Sequence, residues 1–143
     1  MIKKQTSYYI PIFSIVILSN ILFSTYFIPI FLSGIIFLMF LHSLKKEYYY
    51  LLFFSIVTFL IIENTHGLKP FSFTFISVFI YFFIIPKVKH LFSSSSFSEF
   101  FYIVIFYTSF FIVYIFSNGY DTSSYDVFII NFIIDSLLIG FIL

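Results

Sequence analysis

No cysteine, tryptophan, arginine or alanine occurs in the 143 residues, and each absence excludes something. Without Cys there is no disulfide, no thiolate nucleophile and no Cys-based zinc site, and nothing to report on redox compartment. Without Arg, and with a formal net charge of only +1, there is no basic field to attract a nucleic acid, so a nucleic-acid partner is excluded. Charge itself is scarce. Charged residues make up 9% of the chain, against roughly 25% in a soluble domain. Hydrophobic residues make up 62%, and a soluble fold of this composition would precipitate. Most of the surface must therefore face lipid or other apolar segments.

Phe (26) and Tyr (12) are heavily used. Together with the missing residue types, this skew reads as a general preference for a few side chains. The Phe stripes are expected to be lipid-facing filler rather than an aromatic cage.

The few charges fall in the gaps between apolar runs. Six runs result: residues 8–24, 27–44, 48–62, 71–86, 97–117 and 127–143. Most hold about 15 to 18 residues, at or below the ~17 to 25 needed to cross a hydrocarbon core of ~30 Å. They must be helices, because open strand edges are not tolerated in lipid and no dyad pattern of a barrel appears. The expected fold is all-α: a single polytopic transmembrane helix bundle of about six spans over residues 1–143. The first run, behind Met1-Ile2-Lys3-Lys4, is not followed by a small-residue cleavage site and reads as a retained helix. Residues 8–44 are also compatible with a re-entrant pair. Pro29 is expected just inside the second helix, and the serines at 93–96 in a flexible surface loop.

Lysines near span ends are retained in the cytoplasm. With the N-terminus inside, Lys3, Lys4, Lys45, Lys46, Lys87 and Lys89 all lie on the cytoplasmic side, and only Lys69 lies outside. Both chain ends are then cytoplasmic.

Asp135 is the one ionisable residue well inside a run, and an intramembrane carboxylate is a functional candidate by default. Asn131, four residues earlier, shares its helical face and can make a polar contact with that carboxyl or with a neighbouring helix. Ser136 and Gly140 form a small-xxx-small pair that admits close helix approach. Asp135 has three open readings: a hydrogen-bonded residue that holds the bundle together, a proton or substrate pathway, or a contact for a partner's helix. A second cluster, Glu63-Asn64-Thr65-His66-Gly67 with Lys69, ends the third run. No second histidine is spaced to complete a metal site there, so a wetted loop that positions the third and fourth helices outweighs an acid/base or metal centre. His42 and His90 read as interface residues beside lysines, and Glu99 suits the start of the fifth helix. No nucleophile elbow, zinc-protease helix motif or P-loop is present, so no enzyme class and no cofactor is indicated.

In the order of these features the chain resembles the MreD family of rod-shape-determining proteins, which are small polytopic inner-membrane proteins. The likeness lies in the short lysine-bearing N-terminus, Pro29 at the entry to the second span, and Glu63 through Gly67, where the family carries an acid and a glycine-containing turn. Val127 to Leu143, with Asn131 early in it, looks like the family's last span; Asp135 has no counterpart in the pattern. The resemblance implies a non-enzymatic scaffold of bacterial cell-wall elongation. Its partners would be membrane lipid, the bitopic protein MreC and, through it, MreB filaments and the cell-wall synthases. It also implies a fold similar to small substrate-binding subunits of vitamin transporters. A small transporter or substrate-capture subunit built on Asp135 and Asn131 is thus the competing expectation, and a water-accessible pocket leading to Asp135 would favour it.

Overall fold

The computed structural model describes residues 2–26, 30–91, 95–119 and 121–142. These residues form six helices: α1 Ile2–Thr25, α2 Ser33–Lys46, α3 Tyr49–Thr65, α4 Ser72–Val88, α5 Ser95–Asn118 and α6 Thr122–Ile142. The all-α expectation holds, with no strand among the described residues. One stretch, Phe97–Asn118 in α5, is long and apolar enough to cross a membrane by itself; Tyr9–Thr25, Tyr49–Thr65 and Ser72–Val88 are shorter apolar helices.

α2 is the hub. It packs against α3, α4, α5 and α6, while α1 leans on α3, α3 on α4, α4 on α5 and α5 on α6. Large exposed hydrophobic side chains accordingly occur on each of the other five helices, for instance Leu18, Phe53, Phe75, Ile112 and Leu137, whereas α2 contributes none to that set. Both ends of the bundle can be recognised from side chains. At one end Lys45 lies within electrostatic reach of Lys89 and Glu99, with its ammonium 5.4 Å from the Tyr102 ring. At the other end, Phe31 and His66 meet edge to face at 4.5 Å.

Phenylalanine divides into two populations. Phe53, Phe75, Phe116 and Phe141 are exposed, as expected of lipid-facing filler. Phe37, Phe59, Phe73 and Phe106 are fully buried and join four helices, with ring centroids 4.4 Å apart for Phe37–Phe106, 5.5 Å for Phe59–Phe73 and 5.7 Å for Phe73–Phe106. Those rings form the centre of the core. With alanine absent, serine and threonine take the role of small packing residue. Ser43, Ser55, Ser77 and Thr58 are buried, and each hydroxyl returns a hydrogen bond to a carbonyl three or four residues back, to Phe40, Leu51, Phe73 and Phe54. Satisfied within their own helices, these hydroxyls are buried without an unpaired donor.

The structure moves several boundaries. α1 is one continuous helix of 24 residues, about 36 Å at 1.5 Å per residue. The second helix does not run over 27–44 but starts at Ser33, because residues 30–32 are non-helical and Leu32 is left-handed at φ 54°. α2 is only 14 residues long, about 21 Å. Pro29 and Ser93–Ser94 lie outside the described residues, while Ser95 and Ser96 already belong to α5. α6 starts at Thr122 rather than Val127, because Asp121 accepts from the Ser123 hydroxyl at 2.8 Å and from its backbone N–H at 3.4 Å, in the manner of an N-cap. Within α4, residues Ile80–Ile84 widen into a π-turn just before Pro86. Proline has no N–H to continue the α-helical ladder, and a π-turn is one way to absorb that loss.

Candidate functional site

A helix that starts in the interior exposes backbone donors with no partner in its own helix. α2 does this at Ser33, and Leu32 offers no side-chain cap. The missing acceptors arrive from α6. Asn131 Oδ1 accepts from the Phe31 N–H at 2.6 Å, and Asp135 Oδ2 accepts from the Gly34 N–H at 2.9 Å. The two acceptors are four residues apart on one face of α6, so the pair that stood out in the sequence acts together on the entry to α2. A carboxyl at a helix N-terminus also complements the positive end of the helix dipole.

The Asp135 carboxyl has a second donor in the Tyr107 hydroxyl of α5, which in turn lies 3.2 Å from Ser33 Oγ. Asp135, Asn131, Ser33 and Tyr107 are all buried, Asp135 at 0% exposure. Its other oxygen, Oδ1, has no hydrogen-bond partner among the described residues. Gly34 makes the approach possible, since a Cβ built there would lie 2.6 Å from Asp135 Oδ2.

On the other side of the same segment, Asn20 of α1 donates to Phe31 O at 2.8 Å and to Val16 O at 2.9 Å. With its amide nitrogen so engaged, Asn20 Oδ1 faces His66 Nε2 at 3.0 Å, and the imidazole is the donor. Burial holds the His66 pKa below its ordinary value, against the opposing pull of the Ile30 backbone. A charged imidazole is disfavoured there.

Glu63 repeats the Asp135 arrangement. α4 begins after Phe71, which is left-handed at φ 65° and has no side-chain cap of its own. Glu63 reaches over from α3 and accepts from the Phe71 N–H at 2.7 Å and the Phe73 N–H at 2.6 Å, one on each carboxyl oxygen. The expected wetted loop therefore holds only in part: Gly67 and Lys69 are exposed, but Glu63 is 1% exposed. Its positioning role for the third and fourth helices is a direct one. Gly67 sits at φ 67°, where the turn favours glycine.

Two sequence candidates stay apart from this network. Gly140 is exposed, with nothing among the described residues within 4 Å of a Cβ built on it. Ser136 is half-buried, and its hydroxyl has no hydrogen-bond partner among the described residues. Conversely, sequence reasoning missed Asn20, Ser33, Gly34 and Tyr107. Among the described residues no group of three His, Asp or Glu side chains is placed to hold a metal ion.

A pocket of about 230 Å³ opens beside this network, lined by Phe31, His66, Leu68, Tyr114, Val127 and others; Asp135 is not among the lining residues. The chemistry available at Asp135 is that of a buried acceptor joining α2, α5 and α6. No protein-family model, no curated protein and no solved structure matches this chain.

Proposed function

We propose that this chain is a multi-pass protein of the bacterial inner membrane, with about six spans and both termini cytoplasmic, and that it acts as a non-enzymatic scaffold of the MreD type in cell-wall elongation. Support for the membrane reading comes from the outward-facing hydrophobic side chains of five helices around a buried α2. It also comes from the treatment of residues 30–32. Non-helical backbone at membrane depth is tolerated only where protein covers it and satisfies its polar groups, and here Asn20 and Asn131 do so for Phe31.

The observation that carries the scaffold reading is the engagement of both buried acids, Asp135 and Glu63, as caps on helices α2 and α4. Carboxyls held in this way fix helix positions and give a rigid body for other membrane subunits, such as an MreC-like bitopic protein and cell-wall synthases, to pack against. The test is clean deletion together with co-isolation. Rod or helical cells should turn round, and the tagged protein should bring down a single-span partner from detergent extracts. Unchanged cell shape with altered uptake of a small solute would reject the scaffold.

That outcome belongs to the second reading, a substrate-capture or transport subunit. It is favoured by the interrupted entry to α2, because broken helices at depth are where transporters bind substrate. The pocket beside Phe31 and His66 and the unpartnered Asp135 Oδ1 favour it as well.

A further inference from the structure

Lysine at position 69 is the exception to the charge bias of this chain, and it lies at the mouth of a long groove on the bundle. The groove holds about 790 Å³ and runs between the outer faces of α4 and α5. Lys69, Ser72 and Ser117 line one end of it, and Ser109, eight residues before Ser117 on α5, lies about 12 Å along the groove. A small adjoining recess shares Lys69, Ser72 and Ser117 and adds Asn118. Away from that end the walls are Phe75, Phe79, Phe83, Ile112 and Val113.

The groove is elongated along the helices. From Ser72 to Phe83 is eleven residues of α4, about 16 Å at 1.5 Å per residue. Its deep end coincides with the start of the π-turn, where Phe79 and Phe83 pack with centroids 5.0 Å apart and remain 54% and 61% exposed. π-turns of this kind often mark functional positions. A cation with hydroxyl and amide groups at one end of an apolar channel matches a molecule with a phosphate at one end and a hydrocarbon chain behind it.

We propose that this groove binds one anionic phospholipid of the surrounding membrane, with its phosphate at Lys69, Ser72, Ser117 and Asn118 and an acyl chain against Phe75, Phe79 and Phe83. The inference rests on the membrane-spanning reading above and is independent of the scaffold reading. Charge complementarity selects the occupant. In the proposed topology Lys69 is the only lysine on its side, so no general basic surface competes with it for the headgroup.

The test is native mass spectrometry of the full chain, purified in detergent and titrated with phosphatidylglycerol or with phosphatidylcholine, whose phosphate is balanced by a quaternary ammonium. One retained phosphatidylglycerol is expected per chain, with phosphatidylcholine retained several-fold more weakly. Lys69→Gln should lower phosphatidylglycerol occupancy about fivefold, the value of one lysine near an anionic headgroup. Val113→Trp, which fills the groove from an exposed position, should abolish it, with helical content by circular dichroism showing that the variant is folded. Lys46→Gln, at the far end of the bundle, should leave it unchanged. Equal retention by the wild type, Lys69→Gln and a folded Val113→Trp would overturn the site, as would equal retention of both lipids. Release of the protein from membranes by alkaline carbonate, without detergent, would instead reject the membrane reading itself.

Discussion

Asp135 and Gly34 are 101 residues apart in sequence, and the Gly34 N–H donates to Asp135 Oδ2 at 2.9 Å. The absence of a side chain at Gly34 lets the carboxyl of α6 reach the start of α2, since even a methyl group there would lie 2.6 Å from the same oxygen. Gly34→Ala is therefore expected to force α6 away and weaken this cap. Overpacking of this kind costs about 1 to 3 kcal/mol. Thermal unfolding in detergent should show the loss. A Gly34→Ala protein as stable as the wild type would mean that α2 and α6 are not in contact here.

Asp135 itself separates hydrogen bonding from charge. Asp135→Asn keeps an acceptor for the Gly34 N–H and the Tyr107 hydroxyl and is expected to fold and retain most function. Asp135→Leu leaves the Gly34 N–H buried and unpaired, at about 1 to 3 kcal/mol, and leaves the Tyr107 hydroxyl with Ser33 Oγ alone. Asp135→Lys adds a fixed charge at depth, worth about 2.5 to 3.5 kcal/mol on insertion scales. The expected order of stability is wild type, Asn, Leu, then Lys, measured by thermal melts of the inserted protein. A normally inserted Asn variant without function would count for a proton pathway.

Glu63 should behave as a two-pronged cap. Glu63→Gln keeps one acceptor oxygen, while Glu63→Ala leaves the Phe71 and Phe73 N–H groups without theirs. With an unpaired buried donor costing about 1 to 3 kcal/mol, Ala should be the more damaging by roughly that amount. Hydrogen exchange at the first turn of α4 should rise in the Ala variant and far less in Gln. Equal exchange in both would remove Glu63 from the capping role.

Stability should also depend on pH through His66. Its pKa is lowered from 6.5 in the folded chain, so between the two values the unfolded state binds more protons and stability rises with pH. The contribution is fully present above 6.5 and is lost as pH falls below it. The melting temperature of the wild type should drop from about pH 6.5 downward more steeply than that of His66→Gln, which keeps a donor for Asn20 Oδ1. Parallel profiles for the two proteins would contradict a half-buried neutral imidazole.

Part of this arrangement is legible in the sequence, and what is not has a physical reason. Asp135 and Asn131 stood out because a carboxyl and an amide four residues apart inside an apolar run need partners. What they bind was not legible, because Phe31 and Gly34 take part through backbone N–H groups that carry no residue signature. The sequence sets the start of α2 too early for a related reason: Leu32 adopts a left-handed conformation rare for a branched side chain, and its helix is capped from α6 rather than by a neighbour in sequence. Glu63 reads as solvated in the sequence because it ends an apolar run. A helix start at Ser72 without a local cap, nine residues after an acid in the same hairpin, is the signal that identifies its role. Tyr107 was lost among many tyrosines.

Topology admits a direct measurement, because the chain has no cysteine of its own. His90→Cys and Asn118→Cys place single thiols at exposed positions at the two ends of the bundle. In intact cells an impermeant maleimide should label Cys at 118 and reach Cys at 90 only after permeabilisation. The reverse pattern would invert the orientation and place Lys69 in the cytoplasm.

The partner prediction concerns Gly140. No described residue lies within 4 Å of a Cβ built there, so Gly140→Leu introduces no clash with them and should leave the stability within about 0.5 kcal/mol of the wild type. If the scaffold docks another subunit's helix on the Ser136–Gly140 face, the same leucine removes the close approach that small residues permit. Co-isolation with an MreC-like bitopic protein should then weaken while membrane insertion and stability stay unchanged. Ile130→Leu, at an exposed position on the same helix, keeps the side-chain volume and serves as the control. Full co-isolation by Gly140→Leu would move the docking surface off this face, and a loss of stability would mean that α6 packs more tightly within the chain than an open Gly140 allows.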